Sequence, residues 1–146
     1  MSDIALIDAN VLIYAVDIDF PYHETAKEIR DLALFGKIEC CLCPQVLLEF
    51  FSVSTNPRRV FNPVSTQDAL AEIQRYLNSL FIRMIYPPPD GLKGLLKLYE
   101  RYSVQSQEIF DLYLIVTMLA NNVRNVYTFD DTVFRKFKEI EVLIPR

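Results

Sequence analysis

Ile4-Ala5-Leu6-Ile7-Asp8-Ala9-Asn10-Val11-Leu12-Ile13-Tyr14-Ala15-Val16 is the stretch that decides how this chain folds. Its first four residues are a short apolar run of strand character, and Asp8-Ala9-Asn10 supplies a polar turn, so the chain passes here from a strand into a helix. One acid interrupts an otherwise hydrophobic run. A carboxylate at the carboxyl end of a strand stands where open α/β sheets place their ligands.

The same alternation repeats outward from this junction. Residues 23–35 have helical composition closing at Gly36, and 38–43 make a second strand. Pro44 suits the first turn of a helix over 45–54, which stops before the turn-forming Asn56-Pro57. Ser65 caps a helix to Leu80, and 81–86 form a third strand cut off by Pro87-Pro88-Pro89. Asp90 opens a helix to Tyr102, residues 106–122 form a long helix that is apolar nearly all round, and 125–129 form a fourth strand ending at Asp130-Asp131. Residues 142–144 supply a fifth strand. Strands separated by helices predict an α/β fold, a three-layer α/β/α sandwich on a central, mainly parallel sheet of four or five strands. With 146 residues, 51% of them hydrophobic, the expected unit is one domain over 1–146 with the triple proline as a stiff connection inside it.

Composition excludes several functions. The net charge of −4 and pI of about 5.0 rule out a globally basic polyanion binder, so any nucleic-acid site must be local. Cys40, Cys41 and Cys43 share one apolar run and are expected in a buried strand, not in a zinc site or a disulfide framework. Residues 1–16 carry Asp3 and Asp8 and lack a basic n-region, so no signal peptide is expected. No apolar stretch approaches the roughly 20 residues that span a bilayer. A soluble, cytoplasmic protein without membrane contact is the expectation.

Four acids stand where the hydrophobic pattern gives them no ready role: Asp8, Glu49 in VLLEFF, Asp111 in IFDLYLIV and Asp130 in VYTFDD. Each alone has an ordinary explanation as a cap, a first-turn dipole partner, a solvated helix residue or a turn residue. Burying unpaired carboxylates is costly, and only Arg124 and Arg135 flank any of them closely in sequence. A divalent cation resolves all four together, and an all-oxygen set suits Mg²⁺ or Mn²⁺. His23, the one histidine, is expected on an exposed amphipathic helix, which leaves no histidine base or histidine zinc site. With three glycines, phosphate-cradling loops are absent too.

The ordered set Asp8-Ala9-Asn10-Val11-Leu12-Ile13-Tyr14-Ala15, the glutamate helix with Ser54-Thr55-Asn56-Pro57-Arg58, the aspartate helix and Tyr127-Thr128-Phe129-Asp130 resembles the PIN domain over essentially the whole chain, and within it the VapC-type toxin nucleases. The resemblance implies a PIN-like fold and a metal-dependent endoribonuclease acting on single-stranded or structured RNA. It also implies an acidic quartet of Asp8, Glu49, Asp111 and Asp130 holding Mg²⁺ or Mn²⁺. Asn10 matches the accessory polar position, with Thr128 beside it. A homodimer and a cognate antitoxin protein are the implied partners, with this chain as the toxin. Two departures stand out: Leu112 follows Asp111 where the family commonly has a small residue, and Asp130 is doubled by Asp131, which leaves the choice between those two acids open. Two alternatives remain. One is a catalytically silent PIN-fold module that binds RNA or protein. The other is an aspartate-based phosphatase or receiver, for which Asn10 replaces the expected second acid of Asp-x-Asp.

Arg58 and Arg59, in a Pro-bounded loop after the glutamate helix, are candidates to grip RNA phosphates, although adjacent loop arginines are commonly just solvated. Lys93, Lys97 and Arg101 form a basic helical stripe expected to be a solvated face. Tyr14, Phe20, Tyr22, Phe50, Phe51 and Phe61 are candidates for a base-stacking surface or dimer patch, with core packing expected for Phe50 and Tyr14.

Overall fold

The computed structural model describes residues 3–145. Its elements run β1 (Ala5–Ile7), α1 (Ala9–Val16), α2 (His23–Leu34), β2 (Cys40–Leu42), α3 (Pro44–Ser54), α4 (Thr66–Leu77), β3 (Arg83–Met84), α5 (Gly91–Arg101), α6 (Glu108–Ala120), β4 (Asn125–Tyr127) and β5 (Glu141–Leu143). A 3₁₀ turn at Phe134–Lys136 precedes β5 and was not expected from the sequence. The five strands form one parallel sheet in the order β3-β2-β1-β4-β5, flanked by helices, as the α/β/α reading requires.

The strands are shorter than their apolar runs. Leu6 pairs with Cys41 on one side and Val126 on the other, and β3 reduces to two residues paired with Cys41 and Leu42. Phe81, expected at the start of β3, instead lies against Gly36, which takes φ +72° to end α2 and has no room for a Cβ beneath that ring. β1 and β2 are buried throughout because helices cover both faces, which accounts for the absence of polar alternation in IALI and CCL. All three cysteines are buried and free, and burial pushes the Cys40 and Cys41 thiols up to about 12. No helix among the described residues is long and apolar enough to cross a membrane.

The order of strands positions the site. From β1 the sheet grows one way through β2 and β3 and the other way through β4 and β5. Chain direction therefore leaves a crevice beyond the carboxyl ends of β1 and β4, the switch point at which doubly wound sheets bind ligands. Asp8 directly follows β1, and Asp130 lies three residues past the end of β4.

Candidate active site

Asp8 caps α1 and belongs to the site at once. One carboxylate oxygen accepts the Ala9 amide at 2.8 Å, and the other accepts the Thr128 hydroxyl at 2.9 Å and the Asn10 amide nitrogen at 3.5 Å. Thr128 Oγ1 also accepts from Asn10 Nδ2 at 3.0 Å and from the Asp130 backbone at 3.1 Å, while Asn10 Oδ1 accepts the Phe129 amide at 3.2 Å. Asn10 and Thr128 thus tie the end of β1 to the end of β4 and fix the orientation of Asp8. Of the three expected accessory residues, Asn10 and Thr128 meet in this network, and Asp131 does not.

Electrostatics join the remaining acids. Asp8 is buried, and desolvation, opposed by its hydrogen bonds but reinforced by the charges of Glu49 and Asp130, raises its pKa to about 6. Asp111, near the start of α6, is raised to about 7 by desolvation and then by Asp8, Glu49, Asp130 and Glu108. Glu49 projects from the exposed rim of α3, where partial desolvation lifts its carboxyl and the positive charge of Arg59 pulls it down. The charges of Glu49 and Asp130 therefore reach both Asp8 and Asp111 at the switch point. The neighbouring Asp131 points elsewhere. It forms an ion pair with Arg135, one turn ahead, and that partner lowers its pKa. Asp130, not Asp131, is the acid whose charge reaches Asp8 and Asp111.

The donor set is oxygen throughout, which fits a hard divalent cation and not zinc. Among the described residues no group of three or more His, Cys, Asp or Glu side chains is gathered closely enough to hold a metal ion together. Mg²⁺, which keeps several waters and takes one or two protein carboxylates, is the ion that needs the fewest of these acids at once. The raised pKa values of Asp8 and Asp111 mark uncompensated negative charge that a cation would relieve.

Other expectations are redistributed. His23 is not exposed: its side chain is 13% accessible, and Nδ1 lies 2.9 Å from the Tyr14 carbonyl, joining the start of α2 to α1. Arg58 and Arg59 are both exposed, but Arg59 is the one whose charge acts on Glu49 and Tyr14. Lys93, Lys97 and Arg101 form a solvated face, with Arg101 paired to Glu139 at 3.2 Å. Phe50 is fully buried, whereas Tyr14 is only partly so, its ring lying in an aromatic cluster beside the acids.

Asp17 escaped the sequence reading. It is 1% exposed, and its carboxylate accepts the backbone amides of Phe61 and Asn62 at 3.0 Å each and the Asn62 side chain at 3.3 Å. It thereby pins the loop that carries Arg58 and Arg59 to the end of α1. Asp17→Ala leaves these donors without their charged acceptor and is expected to cost about 2 kcal/mol in urea unfolding. An unchanged midpoint would show that the loop is held by other contacts.

The comparisons with known proteins bear on the fold and the family. Ribonuclease VapC33 of Mycobacterium tuberculosis is 25% identical over 134 residues, 92% of either chain. The crystal structure of Mycobacterium tuberculosis VapC20, described as a Sarcin-Ricin loop cleaving toxin, superposes with a TM-score of 0.68 at 19% identity, covering 94% of this chain and 98% of that one. VapBC2 from Rickettsia felis, bound to a DNA fragment from its promoter, gives 0.65 at 14% identity, with 96% and 97% covered. The model of the PIN domain family matches residues 5–140, which include all four acids and both strand ends of the crevice. This chain belongs to the PIN domain family.

Proposed function

We propose that this chain is an Mg²⁺- or Mn²⁺-dependent endoribonuclease that hydrolyses phosphodiester bonds of RNA as the toxin of a toxin–antitoxin pair. The observation that carries the reading is the convergence of Asp8, Asp111, Glu49 and Asp130 at the switch point of the sheet, where burial and the charges of Glu49 and Asp130 raise both Asp8 and Asp111. Relatives and structural neighbours named as VapC ribonucleases and as toxin–antitoxin complexes support it.

Asp8, Asp111 and Asp130 would hold the ion, with Glu49 at the rim. When bound, a divalent cation supplies a nucleophilic water near neutral pH and offsets charge on the phosphate. The protein supplies the rest. Thr128 and Asn10 hold the Asp8 carboxylate so that its orientation survives the arrival of an anionic substrate. Glu49, exposed and close enough to the other acids to raise them, is placed to accept a proton from water at the rim. Arg59 supplies positive charge beside Glu49, where RNA phosphates would otherwise meet only acids.

A homodimer and a cytoplasmic location belong to the same proposal, the latter supported by three free buried thiols. Four acids retained at one crevice count against the silent-module alternative.

Antitoxin-free protein is expected to cleave RNA with Mg²⁺ or Mn²⁺ and to stop in EDTA. Cleavage undiminished in EDTA would defeat the metal assignment, and intact RNA under every ion would defeat the ribonuclease assignment.

A further inference from the structure

Core packing accounts for only part of the aromatic cluster beside the acids: Tyr14 and Phe129 pack against the core, whereas Tyr22 and Phe61 stand out from it. Tyr14 stacks on Phe20 with ring centroids 3.8 Å apart and planes 12° from parallel, and Tyr22 stacks on Phe129 at 4.9 Å and 3°. Phe20 links the pairs, edge-on to Tyr22 at 5.8 Å and 6.1 Å from Phe61. The inner rings Tyr14, Phe20 and Phe129 are partly buried, but Tyr22 is 52% and Phe61 67% exposed.

Position ties these two outer rings to the acidic site. Phe129, which carries Tyr22, immediately precedes Asp130, and its amide is held by Asn10. Phe61 stands two residues beyond Arg59, in the loop that Asp17 pins through Phe61's own amide. Tyr14 feels the charges of Asp130, Asp8 and Arg59, so the ring cluster, the Arg59 guanidinium and the acids are near neighbours. Exposed ring faces beside an arginine and the acidic crevice complement a ligand of flat bases strung on an anionic backbone. A purely apolar protein surface would find the arginines and acids a poor match.

We infer that Tyr22 and Phe61 form a stacking rim that takes unpaired nucleobases next to the scissile phosphate, and so select single-stranded segments of RNA. The inference rests on the ribonuclease reading of the acidic site and names the residues that choose its substrate. Bases in an A-form duplex are stacked on one another and offer no free face, so the rim gains nothing from paired RNA.

The test uses Asp8→Asn protein, which leaves RNA intact, and follows binding of a short single-stranded RNA, its duplex and an abasic version by fluorescence anisotropy. Phe61→Leu and Tyr22→Leu are each expected to weaken single-strand binding by about 5- to 150-fold, the range for losing one stacked base, while Phe61→Tyr keeps it. Duplex and abasic RNA should bind weakly and respond little to either substitution. Both side chains are exposed, and thermal melts check that the variants fold. Equal single-strand affinity across all variants overturns the rim, and metal-dependent cleavage by unsubstituted protein then leaves the nuclease reading standing. Ring-dependent binding without any cleavage upholds the rim and defeats the nuclease reading. A change from dimer to monomer in sedimentation with RNA affinity unmoved assigns these rings to a protein interface and overturns the inference.

Discussion

Asp8→Asn is expected to lower RNA cleavage by roughly a thousandfold or more, as removal of a member of a cooperating catalytic set does, while the protein stays folded. Asparagine keeps the shape of Asp8 and one oxygen for the Ala9 amide at the start of α1, so the helix retains its cap. What disappears is the negative charge that Thr128 and Asn10 orient into the crevice. The check pairs a cleavage assay with a thermal melt in EDTA. Loss of activity with a melting temperature equal to or above that of the parent is the expected pattern, because one of several repelling acids has gone. Activity within a few-fold of the parent would remove Asp8 from the catalytic set.

The second large effect is on stability and has an unusual sign for carboxylates. Asp8 and Asp111 have folded-state values of about 6 and about 7 against an ordinary 3.8, so between these limits the folded protein holds more protons than the unfolded chain. Stability of the metal-free protein must then fall as pH rises from about 4 to about 7, by several kcal/mol, of which Asp8 alone accounts for about 3 kcal/mol. For a chain of this size the Asp8 share corresponds to roughly 10 °C in melting temperature. Asp131 has the opposite sign, since Arg135 lowers it, but its contribution is lost only below its ordinary 3.8, outside the window. Saturating Mg²⁺ or Mn²⁺ should flatten the decline by compensating the charge, and Asp8→Asn should remove part of it. A profile in EDTA that is level or rises across this range would contradict the repulsion among these acids.

The sequence disclosed the crevice more completely than its surroundings. Asp8 and Asp130 announced themselves because an acid ended an apolar run at a strand's carboxyl end, a local signal. Glu49 and Asp111 were legible because acids among apolar helix residues leave few bland roles. Strand lengths were not legible: pairing stops where a neighbouring strand stops, as Arg83–Met84 does beside β2, and nothing in residues 81–86 records that. Asp17 looks like any acid after a helix, because its partners Phe61 and Asn62 lie more than 40 residues away in the chain. Distance also hid the stacking of Tyr22 on Phe129, and composition alone could not separate Arg59 from Arg58. His23 misled because the helix around it is polar, while its own ring turns inward to the Tyr14 carbonyl. Long-range contacts of single side chains are the part of this site that only the folded chain displays.

The most direct test of the central claim, that these acids form a divalent-cation site, is a calorimetric titration of metal-free protein with Mn²⁺ near pH 6, repeated in buffers of different ionisation enthalpy. Asp8 and Asp111 are partly protonated there, so binding should be saturable and should release protons, and both features should be lost in Asp8→Asn. Absence of saturable binding, or identical binding by the variant, would contradict the account.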